Sequence, residues 1–408
     1  MLEGKGKFND VEEQLKSKGY GDETGIIKIK RFLNSRFEFY YDVISRKYYH
    51  RRIDETSYTE LSDRMINQIY VELTESGIKI GKQKVMDVLF SEFIPAKDRI
   101  KEFYEQNAAS LEDQKNYIQQ IADTIKLKNE TEDRGLFNEL FRMWFVGIVG
   151  QGLMEFRNEN VLIFSGEQAV GKTTWFNKII PKQIREYTAK GMPDYRDKDS
   201  RIKMSENILI NMDELYAMKR VEISELKSIL SLEEIRDRPA YGRLTETFPR
   251  RASFCGSINS DSFLTDETGN RRFWVFEVAE ADFEKLTDEL VEKAHHQAYR
   301  LWKKGCRCYL TKEENDQLNK RNLKYSLDSR EEELLLEYYD LVSDDSEGGG
   351  EWLTITEIIS RLEATDKYRL TNNSHVMFGK TLKKHSVPQK RDKQARRYYL
   401  KRVNMVYG

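Results

Sequence analysis

Over the first sixty residues the apolar positions form short aromatic and β-branched runs split by charges. The run Ile26-Ile27-Lys28-Ile29-Lys30-Arg31-Phe32 reads as a strand, and residues 37–41 and 46–49, bridged by 42–45, read as a hairpin. From 58 to 153 the spacing turns helical. Met65, Ile66, Ile69, Tyr70 and Leu73 share one helix face behind a Thr59 or Ser62 cap, and further helices are expected at 82–93, 97–107, 113–128 and 134–151. Between about 155 and 280, short apolar strands at 160–164, 207–212, 253–257 and 273–277 alternate with helical stretches, which predicts a parallel sheet covered by helices. A helix at 281–303 follows, then an acidic helix with Glu331, Glu332, Glu333 and Glu337. The run Asp344-Asp345-Ser346-Glu347-Gly348-Gly349-Gly350 reads as a flexible linker. Beyond it the order is helix (354–364), helix (372–384) and a strand-like 394–403.

The chain has 408 residues, 39% hydrophobic and 34% charged, with a net charge of −1. This length suggests two or three domains, and the composition suits a soluble globular protein. No stretch approaches the ~18 consecutive apolar residues of a membrane helix and no secretory signal is visible, so a cytoplasmic location without membrane contact is expected. Three cysteines, Cys255, Cys306 and Cys308, argue against a disulfide framework, and no further Cys or His cluster completes a metal site around the last two. The near-neutral total hides an asymmetry. Residues 352–402 carry thirteen Lys or Arg against four Asp or Glu, positive charge suited to phosphate contacts.

The sharpest chemical signal is Val161-Leu162-Ile163-Phe164-Ser165 followed by Gly166-Glu167-Gln168-Ala169-Val170-Gly171-Lys172-Thr173-Thr174. This is the G-x4-G-K-T pattern with a buried strand before it and an amphipathic helix after it, a phosphate-binding loop. The glycines let backbone N–H groups turn around phosphates, Lys172 would reach the β- and γ-phosphate oxygens, and the Thr173 hydroxyl would ligate Mg²⁺. About forty residues on, Ile208-Leu209-Ile210-Asn211-Met212-Asp213-Glu214 places two acids at the end of an apolar strand. Asp213 would hold the metal and Glu214 the hydrolytic water. A third strand ends at Asn259, a candidate sensor of the γ-phosphate. Thr268-Gly269-Asn270-Arg271-Arg272-Phe273-Trp274 offers two arginines, one of which could act as a finger toward a neighbouring subunit.

Taken together, the loop, the Asp213-Glu214 strand, the segment 227–243 and the 268–274 run resemble the virulence-associated protein E family of phages and bacterial genomic islands, itself similar to superfamily 3 helicases. The resemblance covers about 130–280. It implies an α/β P-loop NTPase (AAA+-like) core that uses ATP and Mg²⁺ and assembles as a hexameric ring on single-stranded or forked DNA. It also implies a pore hairpin, to which Arg238, Tyr241 and Arg243 are assigned. The expected organisation is a mixed α/β segment (1–60), a helical collar region (61–133), the helicase domain (134–305), a helix with an acidic Gly-rich linker (306–351) and a basic winged-helix-like domain (352–408). The N-terminal region as a whole is mainly helical. In the basic domain Lys383, Lys384, Arg396 and Arg397 are DNA-contact candidates. No acidic triad for nucleotidyl transfer is visible ahead of the core, so a primase or initiator would be a separate partner. The competing class is an ATP-switched interaction protein, a signalling or defence ATPase whose basic tail binds a partner. The arginine pair and the basic hairpin favour the motor, since a switch needs no pore contacts.

Overall fold

The computed structural model describes residues 25–106, 115–191, 197–212, 220–237, 245–258, 270–322, 330–341, 349–365, 374–391 and 395–403. The chain divides into two compact units, Met1–Gln106 and Asn107–Gly408. The first runs α1 (Gly25–Arg36), β1 (Phe37–Asp42), β2 (Lys47–Arg52), β3 (Thr59–Glu60), α2 (Asp63–Glu75), α3 (Lys82–Leu89), β4 (Ala96–Lys97) and α4 (Arg99–Gln106). Its sheet has the order β3-β2-β1-β4, with the expected β1–β2 hairpin antiparallel from Phe37 opposite Arg52 to Asp42 opposite Lys47. Ser62 caps α2 by accepting from the Met65 N–H. The run 26–32 is a correction: it is helical, not a strand. Two periods of Ile–Lys alternation lose to the i, i+3, i+4 spacing of Ile29, Phe32 and Leu33, the residues α1 buries.

The second unit continues with α5 (Tyr117–Ala122), β5 (Ile125–Leu127), α6 (Glu130–Gly152), β6 (Val161–Ser165), α7 (Lys172–Lys178), β7 (Thr188–Lys190), α8 (Lys198–Glu206), β8 (Leu209–Met212), α9 (Arg220–Leu230), β9 (Glu234–Asp237), β10 (Glu246–Pro249), β11 (Ser253–Ile258), β12 (Phe273–Ala281), α10 (Asp288–Lys303) and α11 (Lys312–Asn322). Six strands form one sheet in the order β5-β12-β6-β11-β8-β7. β12, β6, β11, β8 and β7 are parallel neighbours and β5 joins antiparallel. The single helix expected at 113–128 is therefore wrong: it stops at Ala122, and Ile125 and Leu127, buried around exposed Lys126, pair with β12 to make the sheet edge. The helix expected from 281 starts at Asp288 behind a Thr287 cap, because β12 runs on to Ala281.

Strands β6, β8 and β11 are buried along their whole length, the signature of a sheet covered on both faces. On one face Phe137, Phe141 and Trp144 of α6 and Trp175 and Phe176 of α7 interlock with Phe164, whose ring stacks on Phe176 at 4.4 Å. On the other, Val161, Ile163, Ile210 and Met212 pack with Met204, Leu226, Ile229 and Leu230 from α8 and α9. β9 and β10 form a separate antiparallel hairpin.

The C-terminal elements are α12 (Arg330–Tyr338), β13 (Tyr339–Asp340), β14 (Glu351–Leu353), α13 (Ile355–Thr365), α14 (Ser374–Lys384), β15 (Gln389–Arg391) and β16 (Arg396–Arg402). β16 pairs with β13, β14 and β15. Leu334, Leu335, Tyr338 and Tyr339 share one core with Leu353, Ile358, Leu362, Phe378 and Leu382, so the acidic helix packs with the C-terminal elements. Residues 344–348 of the expected linker lie outside the described residues. Gly350 is held in the fold, its N–H donating to the Tyr399 hydroxyl at 2.9 Å.

Candidate phosphate-binding site

The loop that leaves β6 is built from backbone that only particular residues tolerate. Gly166 has φ +137° and Gly171, the residue ahead of α7, φ +91°. A Cβ on either would lie about 2.4–2.5 Å from the carbonyl oxygen of Val278 or Ala281. Between them Ala169 also has positive φ, +63°. The loop is fastened to β12 where the Ala281 N–H donates to the Val170 carbonyl at 2.8 Å. Glu167, Gln168, Ala169 and Thr174 are exposed, and Lys172 is buried at 5% exposure. The Lys172 ammonium donates to the carbonyls of Gly166 at 2.7 Å and Glu167 at 2.5 Å. A buried cation resting on loop carbonyls is positioned for an anion at the loop mouth.

Side chains from the neighbouring strands fix the first turn of α7. The Thr173 hydroxyl lies 3.2 Å from the Ser257 hydroxyl on β11. Asn211, a polar residue inside the apolar β8, donates to Asn177 Oδ1 at 3.1 Å and to the Thr173 carbonyl at 3.4 Å. Trp175 Nε1 donates to Thr124 at 2.7 Å, and His295 on α10 bonds the Ile179 carbonyl that follows α7 at 2.9 Å. β8 ends at Met212, opposite Gly256, and β11 at Ile258, opposite Ser165. Asp213, Glu214 and Asn259, which follow these strands in sequence, lie outside the described residues, as do Arg238, Tyr241 and Arg243. Among the described residues no group of three or more His, Cys, Asp or Glu side chains forms a metal cluster.

The arginine pair stands elsewhere. Phe273, the first residue of β12, is opposite Val161, the first residue of the parallel β6. Arg271 and Arg272 are therefore at the opposite end of the strands from the loop, about 13 Å or more away along the strand at ~3.3 Å per residue. Arg271 is exposed. Arg272 is 17% exposed, with Nε on Glu159 at 3.1 Å and a terminal nitrogen on the Ser231 hydroxyl at 2.9 Å. Glu159 also accepts from Arg157 at 2.9 Å, and Arg157 reaches Glu233 at 2.9 Å. Arg157, Glu159, Arg271 and Arg272 line a cavity of about 420 Å³ with Tyr309 and Asn315. Arg157 and Glu159 carry no motif, so reading the sequence misses them; the parallel register of β6 and β12 brings them to the arginine pair, and Ser231 of the 227–243 segment joins them there.

Of the basic C-terminal candidates, Lys383 and Arg396 are exposed. Lys384 is paired with buried Glu332 at 3.0 Å, and Arg397 with Glu357 at 3.1 Å. Lys390, also exposed, sits 4.0 Å from the Trp352 ring centre, a cation–π contact.

Residues 98–327 match the family model of the virulence-associated protein E-like domain. Among solved structures, the apo structure of the NrS-1 C terminal region is similar at 11% identity, covering 94% of this chain and 100% of that one, with a TM-score of 0.47. The A form apo structure of the same region is similar at 10% identity, covering 93% and 100%, with a TM-score of 0.48. No curated protein matches the chain. No helix among the described residues is long and apolar enough to cross a membrane.

Proposed function

The chain belongs to the virulence-associated protein E-like family, and from that premise we propose that it is an ATP-hydrolysing DNA helicase or translocase that works as a ring of identical copies in replication of a phage or mobile element. The observation that carries the reading is the loop: two left-handed glycines that exclude a Cβ, followed by a buried lysine aimed back across the turn. Residues 166–174 would cradle the phosphates of ATP, with Lys172 exchanging its loop carbonyls for phosphate oxygens. Thr173 and Asp213 would hold Mg²⁺, and the bound nucleotide and metal supply the phosphoanhydride and offset its charge. Glu214 would orient and deprotonate the attacking water, with Asn259 holding its other side. One strand, β11, separates β6 from β8, a gap of roughly 10 Å at ~4.8 Å per strand between the start of the loop and the end of β8.

Arginines at the far end of the strands cannot serve their own loop, which supports a head-to-tail ring in which Arg271 or Arg272 meets the next copy's nucleotide. In this reading Arg238, Tyr241 and Arg243, beyond β9, contact the DNA strand. The C-terminal elements act as a winged helix in which exposed Lys383 and Arg396 meet phosphates first, while Lys384 and Arg397 must leave a carboxylate partner to do so. The test is ATP hydrolysis by the purified protein with and without single-stranded DNA, beside Lys172→Ala. Hydrolysis that DNA stimulates and the variant loses is the expected result. Hydrolysis indifferent to DNA would favour an ATP-switched interaction protein.

A further inference from the structure

The hydrogen bonds of Arg272 lead to the β9–β10 hairpin. Its guanidinium is committed on two sides, to Glu159 and to Ser231. Ser231 lies just beyond α9, three residues ahead of β9. Arg157, bound to the same Glu159, reaches the Ser231 carbonyl at 3.3 Å and Glu233 at 2.9 Å. A third arginine, fully buried Arg250, donates to the carbonyls of Leu230 and Leu232 at 3.1 and 2.8 Å, and its N–H to the Glu233 carbonyl at 2.9 Å. The base of the hairpin, residues 230–233, is thus gripped by three guanidinium groups, two of them joined through Glu159. Arg271 shares the same turn, is exposed, and lines the cavity beside this network.

We propose that the pair divides its labour: Arg271 reaches the adjoining copy's phosphate, whereas Arg272, held by the positioning residue Glu159, carries that event through Ser231 to the β9–β10 hairpin. The inference rests on the ring-motor reading and adds its coupling device. A guanidinium tethered at Nε by a carboxylate and at one terminal nitrogen by a hydroxyl keeps other N–H donors, but it could not swing out toward a neighbouring copy without giving up both bonds and leaving Glu159 short of one partner. Among the described residues Arg271 gives up no such pair of bonds. Because they are adjacent, displacement of Arg271 pulls on Arg272, and the rigid contacts of Arg272 transmit the pull.

The test compares full-length wild type, Glu159→Gln, Ser231→Ala, Ser231→Thr and Arg271→Ala for ATP hydrolysis with and without single-stranded DNA, for DNA affinity by fluorescence anisotropy, and for thermal melting. Glu159→Gln and Ser231→Ala should stay folded, melting no more than a few degrees below wild type, bind DNA and hydrolyse ATP without DNA within about twofold, and lose about fivefold or more of the DNA stimulation. Ser231→Thr, which keeps the hydroxyl, should restore it, and Arg271→Ala should lower hydrolysis with and without DNA. Undiminished stimulation in Glu159→Gln and Ser231→Ala overturns the coupling alone. So does equal loss in Ser231→Thr, which would assign the effect to packing. Wild type that DNA does not stimulate overturns the motor reading, and the coupling falls with it.

Discussion

A Cβ on Gly171 would sit 2.5 Å from the Ala281 carbonyl oxygen at a φ of +91°. The backbone penalty alone is about 1–3 kcal/mol, and the oxygen belongs to main chain that cannot step aside. Gly171→Ala should therefore lower the melting temperature and remove nucleotide binding together, whereas Lys172→Ala should remove binding with little change in melting. Scanning fluorimetry and titration with a fluorescent ATP analogue distinguish the two; Gly171→Ala binding at wild-type affinity would contradict the close approach. The glycine requirement of this turn was legible in the sequence because the turn is local, with both glycines inside one fixed spacing. His295 was not, since nothing in its surroundings along the chain points to Ile179. Its ring is buried against Phe145 and the end of α7, and burial holds its pKa down at about 3. Between pH 6.5 and 3 the unfolded chain binds a proton that the folded chain refuses, so stability falls as pH drops through that window, by at most ~1.4 kcal/mol per unit. From pH 7 to 5 the wild type should lose about 2 kcal/mol more than His295→Gln in urea denaturation. Parallel losses would show that this histidine is not kept neutral.

Elements were read correctly where one periodicity acts over enough residues, and misread where a partner decides. The hairpin at 37–52 and the strands beginning at 161, 209, 253 and 273 follow from their own apolar runs. Ile125 and Leu127 become a strand because β12 offers an edge, a fact no local window contains. The acidic helix α12 shows the same limit: its charges suggested a connector, yet Leu334 and Leu335 are buried in the C-terminal core and Glu332 meets Lys384 and His385. Leu335→Ala should consequently loosen strands that follow it in sequence. A buried Leu→Ala change costs about 2–5 kcal/mol, so amide exchange in β14 and β16 should quicken roughly 30-fold or more if those strands open with α12. Unchanged protection there would detach α12 from the C-terminal fold.

For the molecule as a whole, the informative feature is the separation of the loop from the arginine pair, at opposite ends of the parallel strands β6 and β12. Sequence showed both motifs but not their separation, because the distance depends on β12 lying parallel and in register beside β6. If the arginine pair serves a loop of this kind, that loop belongs to another copy, and a head-to-tail contact between identical copies closes into a ring where its rotation allows. This makes complementation the sharpest prediction at this scale. Lys172→Ala and Arg271→Ala should each hydrolyse ATP poorly alone. Mixed in equal amounts and allowed to exchange, they form interfaces in which an intact loop faces an intact arginine. Random assembly yields about a quarter of interfaces of that kind, so the mixture should recover a comparable fraction of wild-type hydrolysis. Two proteins that stay inactive after exchange, with mixed assemblies verified by differential tagging, would mean that the arginine end does not complete a neighbour's site, and the ring reading would lose its geometric support.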